Sequence, residues 1–291
     1  MKTIVTHFTP DLDAIGAVWL LKRFLKGWDE AEVKYTAAGT TLNDEPVDSD
    51  ADVLHVDTGF GFFDHHQLAE DTCATKLVFE HLRESQKSKV KSQKEGMKNF
   101  NEEALERLVE VVNGVDHFQE VYFPNPNADF YDFGLVAELD GWKLMYGDDY
   151  DKYVEHALIC LDGIYRKFED KVWAEKEIAE KGVEFKTKWG KAVGIETVND
   201  EVIRIAQRTG YKLALRKDPK KGHVRIKSLP DPKIDLTPVY EKLKELDARA
   251  TWFLHISRHM ILNGSMKNPK SIPSKLSLKE IIEVIKKQVK S

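Results

Sequence analysis

The chain has 291 residues, of which 42% are hydrophobic and 32% are charged, and its formal net charge is −5. This composition is typical of a folded globular protein and excludes a disordered chain, and the length suits two domains better than one. The acidic net charge argues against a broad surface that coats DNA, which needs a cationic excess, but it is compatible with a local basic cleft.

Two cysteines and one apolar run bear on the compartment. Cys73 and Cys160 lie far apart and form no Cys-x-x-Cys pair, which argues against a disulfide framework or a structural zinc site and favours a reducing compartment. The apolar run Ala14–Leu21 is much shorter than a membrane span, and the polar, acidic segment before it is unlike a signal peptide. We therefore expect a cytoplasmic protein with no membrane partner.

The N-terminal part of the chain alternates predicted strands and helices. Lys2–Thr6 is β-prone, apolar residues recur at helical spacing from Ala14 to Leu25, and Glu32–Ala37 and Asp52–Val56 are two further predicted strands. A strand, a helix and a second strand in this order pair in parallel through a right-handed crossover. The pattern therefore predicts an α/β fold with a largely parallel sheet flanked by helices.

Helical patterns then dominate up to residue 188, and a second α/β pattern begins near Lys191. We place the domain boundary between them, so that residues 1–188 form one domain and residues 189–291 form a smaller C-terminal α/β domain. The segments predicted after the third strand are the helical ranges Thr75–Leu82, Leu105–Val112, Tyr150–Lys188, Asp200–Gln207 and Asp235–Leu246 and the strands Ala192–Ile195, Tyr211–Arg216 and His223–Lys227.

Aspartates and histidines cluster at the predicted ends of the strands. They follow the first strand and the third strand, and loops at the carboxyl ends of neighbouring parallel strands meet at one edge of a sheet. With an aspartate that follows a later helix, they make a set of four carboxylates and two imidazoles, which suits Mn²⁺, with Mg²⁺ or Co²⁺ as substitutes. The six predicted metal ligands are His7, Asp11, Asp13, Asp57, His65 and Asp116.

The charge of this set predicts two metal ions rather than one. Four carboxylates packed together resist joint ionisation, and two divalent cations neutralise them and leave a site that accepts a phosphate anion. Such a pair holds the attacking and leaving oxygens of an in-line displacement at phosphorus. The competing interpretation is structural, with Asp11 and Asp13 as helix caps and Asp116 as an ordinary helix end.

The predicted ligands belong to four short motifs. They are His7-x3-Asp11-x-Asp13-Ala-Ile-Gly, Val56-Asp57-Thr-Gly, Phe63-Asp64-His65-His66 and Gly114-Val-Asp116. A lone Asp-His-His is weak evidence, whereas the ordered set is specific. The four motifs resemble those of the DHH phosphoesterase superfamily and occur in the family's order.

The resemblance implies a role for each polar residue of these motifs. Asp57 bridges the two cations, His66 faces the substrate phosphate and Asp64 orients the histidines. The two implied ligand sets are His7, Asp11 and Asp57 for one cation and Asp13, Asp57, His65 and Asp116 for the other.

The C-terminal domain resembles, more weakly, the substrate domain of DHH nucleases and oligonucleotide phosphodiesterases. That domain carries a run of glycines ending in histidine. The corresponding region here is Trp252-Phe-Leu-His255-Ile-Ser-Arg258-His259, so that either His255 or His259 takes the histidine's place, and the missing glycines argue against a close approach of backbone to phosphate. Arg225, on a predicted strand, is a further candidate for phosphate. The predicted substrate-binding residues are Arg225, His255, Arg258 and His259.

The leading hypothesis is a hydrolase that cleaves phosphodiester bonds of short single-stranded oligonucleotides or dinucleotides with two metal ions. The modest net charge favours short substrates over long DNA. Two alternatives stay open: hydrolysis of a phosphoanhydride or phosphomonoester, such as pyrophosphate or a nucleotide 3′-phosphate, and a catalytically silent nucleotide-binding regulatory module. Intact metal motifs argue against the silent module. A homodimer is one of the oligomeric states that the sequence allows.

Overall fold

The computed structural model describes residues 1–88, 97–265 and 268–287. Contacts within the chain divide it into two units, Met1–Glu169 and Asp170–Ser291. This division falls inside one long helix, Tyr150–Lys181. The predicted boundary between functional domains, after residue 188, stays a prediction.

The first unit contains a three-stranded parallel sheet with the strand order β2-β1-β3. The strands are β1 (Thr3–His7), β2 (Glu32–Thr36) and β3 (Val53–His55). The central strand β1 pairs in parallel with both neighbours, and its Ile4 and Val5 are fully buried. The predicted α/β class and parallel sheet are confirmed. Because the three strands run in the same direction, their carboxyl ends share one edge of the sheet.

Helices pack with this sheet in one hydrophobic core. They are α1 (Leu12–Phe24), α2 (Ala74–Lys87), α3 (Glu102–Asp116), α4 (Leu135–Tyr146) and α5 (Tyr150–Lys181), with 3₁₀ turns at Leu42–Asp44 and Gln119–Tyr122. α1 is buried on nearly every side, and the indole N–H of its Trp19 donates to Asp162 Oδ1 on α5 at 2.8 Å. α1 therefore lies at the centre of the first unit and fixes the loop that precedes it.

The second unit contains a mixed six-stranded sheet with the order β4-β5-β6-β7-β9-β8. Its strands are β4 (Val183–Thr187), β5 (Gly190–Glu196), β6 (Leu213–Lys217), β7 (Val224–Ser228), β8 (Trp252–Leu254) and β9 (Met260–Asn263), and its helices are α6 (Glu201–Arg208), α7 (Thr237–Leu246) and α8 (Leu278–Lys287). β5, α6, β6 and β7 correspond to the predicted strand, helix, strand and strand. β5 and β6 pair in parallel across α6, and β6 and β7 pair antiparallel.

The structure differs from the sequence-based prediction at two places in this part of the chain. The predicted helical range to Lys188 is wrong at its end, because α5 stops at Lys181 and β4 begins at Val183. Gly182 separates the two elements, and in β4 the side chains alternate, with Phe185 buried and its neighbours exposed. β8 and β9 were not predicted, since each is only three or four residues long. Among the described residues, none of the helices has the length and apolar character needed to cross a bilayer.

Candidate metal centre

The six predicted metal ligands come together at the carboxyl edge of the parallel sheet. His7 ends β1, Asp57 lies two residues beyond β3 and Asp116 ends α3. Within residues 1–88, 97–265 and 268–287, three groups have potential ligand atoms that lie within 4.8 Å of one another. These groups are His7, Asp11 and Asp57; Asp13, His65 and Asp116; and Asp57, His65 and His66.

In the first group, His7 faces Asp57. Its Nε2 lies 3.1 Å from Asp57 Oδ2, and its Nδ1 lies 2.8 Å from the carbonyl oxygen of Phe8. Because a carbonyl and a carboxylate only accept, both ring nitrogens donate in these contacts. The contact with Phe8 would keep the proton on Nδ1 when a cation takes the place of the proton on Nε2.

Asp11 is both a helix cap and a member of this group. Its Oδ1 accepts the backbone N–H groups of Asp13 and Ala14 at 3.0 Å each, which caps the N-terminus of α1. The cap uses one carboxylate oxygen and leaves Oδ2 for another partner. The cap and ligand interpretations of Asp11 are therefore compatible.

In the second group, one imidazole nitrogen faces three carboxylates. His65 Nε2 lies 3.3 Å from Asp57 Oδ1, 3.8 Å from Asp13 Oδ2 and 3.9 Å from Asp116 Oδ2. Asp57 therefore faces His7 with one oxygen and His65 with the other. These two contacts are compatible with the bridging role that the resemblance implies for Asp57.

Asp13 is buried and anchors the beginning of α2. Its Oδ2 accepts the N–H of Ala74 at 2.7 Å and its Oδ1 accepts the N–H of Thr75 at 2.8 Å, while Thr75 Oγ1 donates to the Asp13 carbonyl at 2.7 Å. A carboxylate at a helix N-terminus is stabilised by the helix dipole. Since each oxygen has a second lone pair, Asp13 can hold α2 in place and still face His65.

Asp57 has an unusual backbone conformation and an unsatisfied oxygen. Its φ is +55°, in the left-handed region that few residues other than glycine adopt, and its side chain is buried. Its Oδ1 accepts no hydrogen bond, although His65 lies nearby. A buried carboxylate oxygen of this kind needs a positive partner, and a divalent cation fits that requirement.

The pKa values reflect the crowded charges. The Asp57 carboxylate that His65 faces, together with Asp13 and Asp116, raises the pKa of His65 to about 9. Burial would lower the pKa of His7, but its hydrogen bond to Asp57 and the adjacent carboxylates raise it to about 9. Burial and the charge of Asp57 raise the pKa of Asp13 to about 6, and burial raises the pKa of Asp116. The carboxylates repel one another and attract positive charge, which favours the binding of divalent cations.

His66 is half-exposed beside this cluster and is oriented by the buried Asp64. Asp64 Oδ1 lies 2.8 Å from His66 Nδ1 and accepts the His66 backbone N–H at 3.1 Å, while Asp64 Oδ2 accepts the N–H of Phe60 at 2.7 Å. Because a carboxylate only accepts, His66 Nδ1 is the donor. The second ring nitrogen, Nε2, is then available to a ligand.

Two supporting pairs escaped the sequence analysis. Asp48 accepts the backbone N–H of His55 at 3.3 Å and that of Phe62 at 3.1 Å, so that it ties β3 to the loop of the third motif. Asn113 donates to Asp71 Oδ1 at 2.9 Å near the end of α3. Neither pair has a local sequence signal, because each joins segments that are distant along the chain.

The four predicted substrate-binding residues lie in the second unit. Three of them, His255, Arg258 and His259, belong to the turn between β8 and β9, and Arg225 lies on β7, which pairs with β9. Arg225 Nη1 lies 3.1 Å from Asp200, and Arg258 Nη1 lies 3.0 Å from Asp235. A phosphate bound by either arginine would therefore compete with a carboxylate.

The two histidines of this turn have hydroxyl neighbours. His255 Nδ1 lies 2.8 Å from Ser257 Oγ, and His259 Nδ1 lies 3.3 Å from Ser228 Oγ. The local geometry does not separate the two histidines, and the choice between them for the family's usual histidine stays open.

Comparisons with known proteins give distant similarities. No protein-family model and no curated protein matches the sequence. Among solved structures, the chain is similar to a DHH domain protein described as a member of a family of ribosomal proteins, with 13% identity over 99% of this chain and 86% of that chain and a TM-score of 0.33. It is also similar to a pGpG-specific phosphodiesterase from Vibrio cholerae, with 13% identity over 97% of this chain and 98% of that chain and a TM-score of 0.27. Similarities at these TM-scores assign neither a function nor residue roles to this chain.

Proposed function

We propose that this protein is a metal-dependent phosphoesterase of the DHH type that hydrolyses phosphodiester bonds in small nucleotide substrates. The observation that carries the proposal is the position of Asp57, whose Oδ2 lies 3.1 Å from His7 and whose Oδ1 lies 3.3 Å from His65. A carboxylate that joins two groups of ligand atoms suits a pair of cations.

The donor atoms of the centre are imidazole nitrogens and carboxylate oxygens, a set that suits Mn²⁺, with Mg²⁺ or Co²⁺ as substitutes. When bound, two divalent cations neutralise the carboxylates, hold the scissile phosphate and supply hydroxide at neutral pH. The residues that would hold them are His7, Asp11 and Asp57 for one cation and Asp13, Asp57, His65 and Asp116 for the other.

His66 is the proposed contact to the substrate phosphate. Its contact with Asp64, at 2.8 Å, fixes the orientation of the ring, and Asp64 is itself fixed by the N–H of Phe60. In its protonated form, His66 donates through Nε2 to a phosphate oxygen. Such a hydrogen bond strengthens as negative charge develops on the transferring oxygens, so it acts on kcat.

The second unit is the proposed selector of the substrate. Arg225 and Arg258 are cationic groups that would exchange Asp200 and Asp235 for a phosphate of a short oligonucleotide or dinucleotide, and His255 or His259 would add an imidazole donor. Contacts remote from the reacting bond position the scissile phosphate and raise kcat as well as affinity.

The test is hydrolysis of a substrate panel in the presence of Mn²⁺. The panel contains pyrophosphate, nucleotide 3′-phosphates, linear and cyclic dinucleotides, and oligonucleotides of graded length. We expect hydrolysis of dinucleotides and short oligonucleotides, its loss with excess chelator, and its recovery with Mn²⁺ better than with Zn²⁺ or Ca²⁺. Hydrolysis of pyrophosphate alone would favour the phosphoanhydride alternative.

A matched pair of aspartate variants completes the test. Asp57→Asn should reduce kcat by more than the roughly 10- to 100-fold that loss of a residue supporting a metal ligand costs, because Asp57 would serve both cations. Asp129→Asn, at an exposed aspartate outside the centre, should leave kcat unchanged. Full activity in Asp57→Asn, or in excess chelator, would refute the two-cation proposal.

A further inference from the structure

An exposed phenylalanine accompanies each of the four metal motifs. At the third motif it is Phe62, which is 66% exposed and whose ring centroid lies 4.8 Å from that of Phe63 and 5.6 Å from that of His81. The other three are Phe8, Phe60 and Phe118. Phe8 follows His7 and is 50% exposed, Phe60 lies three residues after Asp57 and is 57% exposed, and Phe118 lies two residues after Asp116 and is 72% exposed. Consecutive Cα atoms are about 3.8 Å apart, so the Cα of each phenylalanine lies within about 11 Å of the Cα of a predicted metal ligand. Exposed large aromatic side chains of this kind are a common feature of binding surfaces.

The backbones of two of these phenylalanines form hydrogen bonds that orient side chains of the metal centre. The carbonyl oxygen of Phe8 accepts from His7 Nδ1 at 2.8 Å, and the ring centroid of Phe8 lies 5.9 Å from that of Tyr150. The N–H of Phe60 donates to Asp64, and the ring of Phe60 lies against Gly39, where an added Cβ would lie 3.3 Å from the ring. Both side chains are therefore partly supported by protein while part of their surface remains open to solvent.

The backbone at two of the three positions is strained. Phe60 has a φ of +56° and Phe118 a φ of +54°. Residues other than glycine, and bulky ones in particular, rarely adopt this region. Asparagine or glycine would adopt this conformation at lower cost. Strained residues cluster at functional sites, so these two positions suggest a hypothesis of function.

We propose that Phe8, Phe60 and Phe118 form an aromatic rim on which unpaired nucleobases of the substrate stack. The inference rests on the proposed phosphoesterase function and names its substrate class: nucleotides with bases beside the scissile phosphate, in contrast to pyrophosphate. Every base has a π face, so stacking binds short single strands with little sequence preference. The acidic metal centre binds the phosphate through cations, and the rim supplies the apolar contact that the centre lacks.

The test uses variants that remove a ring without disturbing the backbone. Phe60→Asn and Phe118→Asn place a residue that tolerates positive φ at each strained position, and Phe118→Tyr retains a ring. The matched control is Phe133→Asn, at a phenylalanine that is 92% exposed and distant in sequence from the motifs. The probe is the dinucleotide pApA with a methylene group in place of the bridging ester oxygen, which prevents cleavage, and its abasic counterpart serves as the base-free ligand.

Dissociation constants are measured by calorimetry with Mn²⁺ present. We expect Phe60→Asn and Phe118→Asn to weaken binding of the pApA analogue by about 5- to 100-fold each, to leave binding of the abasic ligand unchanged, and to retain normal metal content. Phe118→Tyr and Phe133→Asn should bind like the wild type. This binding assay involves no turnover, so it tests the aromatic rim alone. A separate assay with cleavable pApA tests the proposed phosphoesterase function, and absence of hydrolysis there would count against that function only.

Four results would overturn the aromatic rim. They are absence of measurable binding of the pApA analogue by the wild type, an equal loss for pApA and abasic ligands, unchanged binding in both asparagine variants, and an equal effect of Phe133→Asn. Sedimentation of Phe118→Asn gives one more: a change from dimer to monomer would assign the Phe118 ring to a contact between two copies of the chain.

Discussion

Replacing Gly16 by alanine tests whether the crossing of α1 and α2 holds the metal centre in place. A Cβ at Gly16 would clash with Thr75 Oγ1 and would lie 3.2 Å from its Cγ2 and 3.4 Å from its Cβ. Thr75 is not free to turn away, because its Oγ1 donates to the Asp13 carbonyl at 2.7 Å and its backbone N–H donates to Asp13 Oδ1 at 2.8 Å. Relief of the clash therefore moves the beginning of α2 away from Asp13.

Opposing effects set the change in the free energy of unfolding. An alanine in place of glycine inside a helix gains up to about 1 kcal/mol. Overpacking of a close contact costs about 1–3 kcal/mol, and loss of the Thr75 hydrogen bond costs about 1 kcal/mol more. We expect Gly16→Ala to lower the free energy of unfolding by about 1–3 kcal/mol. Gly163, on α5, has no atom within 4 Å of an added Cβ, so Gly163→Ala should raise the free energy of unfolding.

The assay is urea unfolding of a double-mutant cycle, together with Mn²⁺ titration of each variant. Thr75→Ala removes the atoms that an alanine at position 16 would contact. Gly16→Ala with Thr75→Ala should therefore be more stable than the sum of the single changes by about 1–2 kcal/mol. Gly16→Ala should also weaken Mn²⁺ binding, because Asp13 loses its N–H partners. Additive effects in the cycle, or a Gly16→Ala protein as stable as Gly163→Ala, would refute the reasoning.

Three further sets of substitutions test separate parts of the molecule. His65→Ala should lower both metal content and turnover, whereas His66→Ala should lower kcat at normal metal content; equal metal loss by elemental analysis would contradict these separate roles. Arg225→Ala or Arg258→Ala should lower kcat/KM on a dinucleotide roughly 10- to 100-fold and leave hydrolysis of bis-p-nitrophenyl phosphate unchanged, and a parallel loss would remove the second unit as selector. Partial burial would raise the pKa of Asp162, but hydrogen bonds from Arg23 and Trp19 hold it below its usual range. Because the folded-state pKa of Asp162 is lowered, its stabilisation is present above about pH 4 and is lost as the pH falls. Asp162→Asn should thus cost about 1 kcal/mol at pH 7 and nothing near pH 2, and a cost independent of pH in urea unfolding would count against it.

The N-terminal elements could be predicted because their signals are local. The expected strand Lys2–Thr6 is β1, Thr3–His7, and the helical pattern Ala14–Leu25 is α1, Leu12–Phe24. The expected meeting of strand ends also followed from local order, since parallel pairing through a crossover brings carboxyl ends to one edge. The parallel order of the strands alone was enough to predict that His7 and Asp11, after β1, lie close to Asp57, after β3.

Contacts between distant segments could not be predicted in the same way. No periodicity indicates that Asp48 accepts the N–H of Phe62, or that Phe60 adopts a positive φ, because both depend on how two loops meet after the sheet has formed. The short strand β9 is likewise stabilised by pairing with β7, and the edge strand β8 by pairing with β9, and neither pairing is visible in their own sequences. β-propensity depends on packing against neighbouring strands, so short edge strands give weak local signals.

The first motif shows why the structural and catalytic interpretations of its aspartates are not alternatives. Over a short stretch the chain ends β1 at His7, caps α1 with Asp11, anchors α2 with Asp13 and admits Thr75 beside Gly16. Both aspartates of this motif, Asp11 and Asp13, fix the N-terminus of a helix, so the fold positions these two ligands without a bound ion. A cation that binds only the folded chain stabilises it by linkage, and here it would do so through the same aspartates that hold the helices. Metal affinity and the stability of the first unit should therefore change together when these residues are altered.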